Sequence, residues 1–107
     1  MMNTKVSVLN SYETIYIIRP DLSEDNLLKI IENYQGILLE RGAKNIITQN
    51  RGRRHLKYLI KKFKDGVYIQ MNYEANGEVI ELIEKSMRIN ENIMRFLTTR
   101  DKNHVPL

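Results

Sequence analysis

Two periods of apolar and polar residues alternate along this chain, and the places where one gives way to the other divide it into six segments. Residues 12–19, YETIYIIR, are rich in aromatic and β-branched side chains and stop at Pro20, which has no N–H to continue a ladder; they predict a first strand. Ser23 then stands where an N-cap is needed, with Glu24 and Asp25 in a first turn whose dipole favours acids. Leu27, Ile31, Tyr34 and Leu38 recur on one helical face, widened by Leu28, Ile30, Ile37 and Leu39, and Gly42 after Arg41 suits the position just past a helix end. Gly36 inside this helix costs ~1 kcal/mol relative to alanine, so burial of the apolar face must compensate.

From residue 44 to residue 64 the period becomes two, with Leu56, Tyr58 and Ile60 on one side and His55, Lys57 and Lys61 on the other. This predicts a long, half-buried second strand. Gly52, set among arginines, marks a bulge or bend within it. Lys64-Asp65-Gly66 reads as the hairpin turn and residues 67–73, VYIQMNY, as the returning strand. Ala75-Asn76-Gly77 interrupts that strand, after which Val79, Ile80, Ile83 and Met87 predict a second helix over residues 78–88. Asn90-Glu91-Asn92 reads as a turn, and residues 93–100, IMRFLTTR, as a last strand.

The order β-α-β-β-α-β predicts an α+β, ferredoxin-like fold: a four-stranded antiparallel sheet with two helices on one face, the second strand at an edge and the other face open. The expected domain spans residues 12–100, with residues 1–11 as an N-terminal extension and residues 101–107 as a short polar tail. At 107 residues there is room for one core. The apolar runs are a few residues long, far below the ~20 that span a bilayer. The first ten residues resemble neither a secretory signal nor an arginine-rich transit peptide. Without cysteine, thiol catalysis, disulfides and zinc fingers are excluded, and His55 and His104 lack metal-ligand spacing, so neither a metal nor another cofactor is expected.

Charge sharpens the picture through its distribution. The net charge is +4, and Arg51, Arg53, Arg54, Lys57, Lys61, Lys62 and Lys64 stand together on the hairpin segment with no acid between them. Glu24, Asp25, Glu32 and Glu40 fall in the first helix, and Glu78, Glu81 and Glu84 in the second. A cationic hairpin opposed to an anionic helical layer is what a polyphosphate backbone selects, because each neutralised phosphate releases counterions. Arginine adds a planar fork for phosphate, and Tyr58, Tyr68 and Tyr73 are available either for stacking on bases or for the core. Lysines on an edge strand also block edge-to-edge aggregation, so charge alone leaves both readings open. The unpaired edge of the second strand, over residues 57–61, offers a further place for a partner strand to add.

Tyr12-Glu13-Thr14, Arg19-Pro20-Asp21 and the run Asn50-Arg51-Gly52-Arg53-Arg54-His55-Leu56-Lys57-Tyr58-Leu59-Ile60-Lys61 resemble the family of the sixth protein of the bacterial-type small ribosomal subunit. Residues 65–73 and 87–95 extend the resemblance, which covers residues 12–100; Lys57 and Leu59 depart from the alanine and proline usual in the family's central motif. The resemblance implies a ferredoxin-like fold, no catalytic activity, and binding to the central domain of small-subunit ribosomal RNA together with the eighteenth small-subunit protein. Its basic pair corresponds to Arg53 and Arg54, and its basic positions around the last turn to Arg88 and Arg95. With the neighbouring hairpin groups, the candidate RNA- or partner-binding residues are Arg51, Arg53, Arg54, Lys57, Tyr58, Arg88 and Arg95. The opening residues 12–22 are most similar to the cyanobacterial and plastid branch, which implies a ribosome in the plastid stroma or, alternatively, in a bacterial or cyanobacterial cytoplasm.

Two other classes fit less well. An acylphosphatase-like enzyme needs a phosphate-cradling glycine loop after the first strand, where this chain has Pro20-Asp21-Leu22-Ser23. A freestanding ferredoxin-like RNA-binding module, the alternative reading, would carry a basic-Gly-aromatic-Gly-aromatic signature on its third strand, and Lys64-Asp65-Gly66-Val67-Tyr68 does not. No feature points to a small-molecule substrate.

Overall fold

Tyr16 and Ile18 alternate with Ile15 and Ile17 along the first strand; the first pair is fully buried in the core, and of the second pair Ile17 is buried and Ile15 half-buried. The computed structural model describes residues 8–100; residues 1–7 of the N-terminal extension and the tail 101–107, with His104, lie outside them. The elements are β1 (Asn10–Ile18), α1 (Glu24–Glu40), β2 (Lys44–Ile60), β3 (Phe63–Ala75), α2 (Gly77–Ile89) and β4 (Ile93–Arg100). They build a sheet of order β2-β3-β1-β4 in which every neighbouring pair is antiparallel. This is the ferredoxin-like architecture, with β2 at one edge and β4 at the other.

Local chemistry sets the helix ends. Ser23 Oγ accepts from the Asn26 N–H at 3.2 Å, capping α1. Gly42, at φ +87°, lets the Gly42 and Ala43 N–H groups turn back onto the Leu39 and Leu38 carbonyls. For α2 the cap is Asn76, whose Oδ1 accepts from the Val79 N–H at 3.1 Å, so the helix begins at Gly77, one residue earlier than the apolar period alone indicates.

The core lies between the sheet and both helices. Tyr16, Ile18, Ile69, Met71 and Tyr73 meet Ile31, Tyr34 and Leu38 of α1 and Val79, Ile83 and Met87 of α2. Each such large side chain contributes ~1.5–3 kcal/mol when fully removed from water. Tyr16 and Tyr34 pack edge to face, ring centroids 5.4 Å apart. Thr14 is fully buried, yet its hydroxyl is bonded to both Tyr73 Oη at 2.7 Å and Thr98 Oγ1 at 2.9 Å, which ties β1 to both of its neighbours.

The hairpin departs from its sequence reading in two ways. Its turn is Lys61-Lys62, both at positive φ (50° and 73°), not Lys64-Asp65-Gly66, and β3 starts four residues earlier than residue 67. A two-residue turn of positive φ matches the strand twist, and Gly66 is needed for another reason. It is buried inside β3, where any Cβ would overlap Ile17 Cγ2. Secondly, β2 is not half-buried: none of its residues is fully buried. It has a neighbour on one side only, and β1 ends opposite Val67, so the hairpin runs on past the central strand.

Candidate nucleic-acid interface

One extra residue in β2 decides which basic side chains share a face. Asn50 pairs with Ile69 and Gly52 with Tyr68, which leaves Arg51 as the bulged residue. Gly52 takes φ +85°, and its N–H donates to Asn50 Oδ1 at 2.8 Å. Before the bulge the odd-numbered residues Ile47 and Gln49 stand beside Asn72 and Gln70 on the open face; after it the even-numbered Gly52 and Arg54 stand beside Tyr68 and Gly66. Arg54 therefore emerges on the open face and Arg53 on the helical side.

Arg54 places its guanidinium over the Tyr68 ring, 5.7 Å from the centroid. Arg53 Nε instead lies 3.7 Å from Asp65 Oδ2, and His55 Nδ1 approaches Asp65 Oδ1 to 2.6 Å. Among the described residues, Arg53 is the sole member of the seven-residue basic run to reach a carboxylate within 4.0 Å. Arg51 Nε donates to Gln70 Oε1 at 3.0 Å, and Gln70 Nε2 passes the chain on to Glu13 Oε1 at 3.2 Å and Asn72 Oδ1 at 2.9 Å. That network ties Arg51 to the open face.

A second irregularity shapes the hairpin tip. His55 pairs with Asp65 and Ile60 with Phe63, so β2 advances five residues while β3 advances two. The strict alternation read from Leu56, Tyr58 and Ile60 ends here, and the edge over residues 57–61 is no regular template for a partner strand, since bulges disrupt the spacing an added strand needs. The surplus residues, without register partners in β3, bound a groove of about 380 Å³, lined by Ile17, Arg54, Lys57, Tyr58, Tyr68 and Arg95 among others. Lys61 Nζ reaches the Ile93 carbonyl at 3.4 Å, tying the turn to the start of β4.

Four of the seven candidates thus meet at one groove: Arg54, Lys57, Tyr58 and Arg95. Arg51 and Arg53 flank it on the same strand. Arg88 stands apart at the last turn of α2, over the Phe96 ring at 5.7 Å, where the helix dipole favours a cation. The three tyrosines divide: Tyr73 is core, Tyr68 is half-buried beneath Arg54, and Tyr58 is 69% exposed. Ile17 and Tyr68, the apolar floor, were not among the candidates. Tyr68 follows the bulge in register, whereas Ile17 carries no signal of its own, being one of a run of isoleucines.

A split βαβ sandwich with a cationic, aromatic-bearing open side and acids on its helices is a ferredoxin-like domain of polarised charge. The family model for Ribosomal protein S6 matches residues 11–100, and the chain belongs to that family, whose members are proteins of the small ribosomal subunit. The chain is 74% identical over 91 residues to the small ribosomal subunit protein bS6c of Guillardia theta, covering 85% of this chain and 95% of that protein. It is 46% identical over 87 residues to the small ribosomal subunit protein bS6 of a Cyanothece strain, covering 81% and 82%. The crystal structure of 30S ribosomal protein S6 from Thermotoga maritima superposes with a TM-score of 0.84 at 28% identity, covering 90% of this chain and 91% of that one. Plastid-type and cyanobacterial relatives agree with the branch indicated by residues 12–22.

Proposed function

We propose that this protein is a non-catalytic constituent of the small ribosomal subunit that binds the central domain of its ribosomal RNA through the β2–β3 hairpin, jointly with the eighteenth small-subunit protein. The observation that carries the reading is the segregation of charge: a run of seven basic residues without an intervening acid, of which Arg53 alone meets a carboxylate among the described residues. Unpaired cations on an outward-facing strand gain most from phosphates, because each phosphate neutralised releases condensed counterions.

The protein partner is assigned to the open sheet face. Ile15 and Leu97 stand opposite each other there, and Leu97 is 63% exposed beside Arg95. Exposed apolar side chains rimmed by polar groups such as Glu13, Gln70 and Asn72 suit a protein surface better than a phosphate backbone. The plastid stroma is the proposed compartment, on the strength of the bS6c relatives, and a bacterial or cyanobacterial cytoplasm is the alternative.

The test is sedimentation of the native protein with purified small subunits at graded salt. Co-sedimentation at low salt and release at high salt are expected. Small subunits that lack the polypeptide would sink the proposal.

A further inference from the structure

We propose that the groove beneath the hairpin tip seats one unstacked nucleotide of the bound RNA, its base against Tyr58 and the Ile17–Tyr68 floor and its phosphate among Arg54, Lys57 and Arg95. The inference rests on the RNA-binding reading above and goes further by naming what enters the groove and which groups hold it.

Four observations converge on this occupant. The groove is about 380 Å³, the scale of a single nucleotide. Its lining holds cations, aromatic rings and aliphatic side chains but no carboxylate. Tyr58 is 69% exposed even though it belongs to a strand, so its ring contributes a free π-face rather than core packing. Arg54 lies over Tyr68, which presents a second planar surface, the guanidinium, on the same wall. Bases taken out of a helix are held in this way, by stacking on aromatic and guanidinium planes with phosphate paired to neighbouring cations.

The groove also exists by construction. The surplus of β2 residues between His55 and Ile60 leaves Lys57 and Tyr58 without register partners in β3, and the absence of a side chain on Gly66 leaves room for Ile17 in the floor. Arg95 is brought in from β4 by its register with Ile17. An acidic side chain of a protein partner would satisfy the cations but leave the exposed ring and the apolar floor unused, which is why a nucleotide fits the chemistry better.

The experiment has two arms on the full chain. In the first, NMR of the Ile methyl and Tyr ring signals follows addition of uridine monophosphate, adenosine monophosphate, uridine and inorganic phosphate at low salt. Saturable shifts at Ile17, Tyr58 and Tyr68 are expected with the nucleotides, retained in Tyr58→Phe and lost in Tyr58→Ala. Equal shifts with inorganic phosphate would reduce the groove to an anion site and overturn the proposal.

In the second arm, binding to a central-domain RNA fragment in the presence of the eighteenth small-subunit protein is measured against salt. Tyr58→Ala is expected to weaken it about tenfold or more, the size of one lost base stack, with the salt slope unchanged. Arg51→Ala with Lys64→Ala, outside the groove and without a carboxylate partner among the described residues, is expected to lower the slope and keep the nucleotide shifts. If Tyr58→Ala binds RNA normally while this double variant does not, the groove proposal fails and the RNA reading survives; if neither matters, both fail. Loss of binding to the partner protein alone, without RNA, on Tyr58→Ala would make the groove a protein contact and overturn the nucleotide.

Discussion

Ile17 occupies the space that a side chain on Gly66 would need: a Cβ built there overlaps Ile17 Cγ2, and Met94 Sδ lies 3.7 Å from the same point. Ile17 is β-branched, so that methyl sits close to its own backbone and has little room to move aside. Gly66→Ala is therefore expected to destabilise the fold by ~1–3 kcal/mol, the usual cost of overpacking. Urea unfolding measures it. The double variant with Ile17→Ala should cost less than the sum of the two singles, because the truncation frees the space; strict additivity would show that the two positions do not compete.

The hairpin turn gives a prediction of opposite sign. Lys61 and Lys62 both adopt positive φ, which costs a side-chain-bearing residue ~1–2 kcal/mol relative to its ordinary conformation. Lys61→Asn with Lys62→Gly, the sequence such turns prefer, is expected to stabilise by ~1 kcal/mol. A thermal melt that moves down instead would mean that the Lys61 contact to the Ile93 carbonyl outweighs the relieved backbone.

Buried tyrosines make the fold sensitive to alkali. Burial pushes the hydroxyl of Tyr16 far above its ordinary value of 10.0, with Tyr34 adding to the effect, and burial also raises Tyr34 and Tyr73. Because the folded state holds these protons more tightly than the unfolded chain, their contribution is complete below pH 10.0 and is lost as pH rises from there towards the folded values. Stability followed by urea titration should be flat in this respect up to that point and fall above it. A curve unchanged at pH values above 10.0 would contradict the burial of these groups.

Two of the same tyrosines separate under substitution. Tyr16 Oη has no hydrogen-bond partner among the described residues, whereas Tyr73 Oη is bonded to Thr14 Oγ1 at 2.7 Å. An unsatisfied buried hydroxyl carries its full desolvation cost of ~1–3 kcal/mol, so Tyr16→Phe is expected to be neutral or stabilising. Tyr73→Phe should instead lose ~1 kcal/mol. Equal losses in both variants, measured by chemical denaturation, would place a partner on Tyr16.

For the basic run, Arg53→Ala combined with Arg54→Ala is expected to cost no more than ~1–2 kcal/mol, since both side chains are exposed and lose one surface ion pair and one cation–ring contact. The contact to Asp65, at 3.7 Å and with the arginine largely exposed, contributes at most ~1 kcal/mol. Binding to ribosomal RNA should weaken, with a shallower dependence on salt. Normal assembly at every salt concentration would remove the two arginines from the interface.

Much of this was legible because it is local. Ser23 caps α1 by reaching three residues ahead, Gly42 ends it by its own φ, and Gly52 announces a bulge for the same reason. The order of six elements followed from apolar period, and the right-handed crossover rule then placed β2 at the edge. Gly66 misled because glycine has two uses: it reads as a turn residue from its neighbours, yet it serves a close approach to Ile17 on another strand. Two consecutive lysines at positive φ carry no turn signature at all.

The chain by itself determined the family, the ferredoxin-like layering and the sign of charge on the hairpin, since each depends on residue type, spacing and the order of segments along the sequence. Which face each cation occupies depended on register. The bulge at Arg51 reverses the parity of β2, sending Arg54 to Tyr68 and Arg53 to Asp65, and the surplus before Ile60 takes Tyr58 out of register with β3. Strand pairing joins residues distant in sequence, so the groove that gathers Arg54, Tyr58, Tyr68, Ile17 and Arg95 took form only when four strands came together.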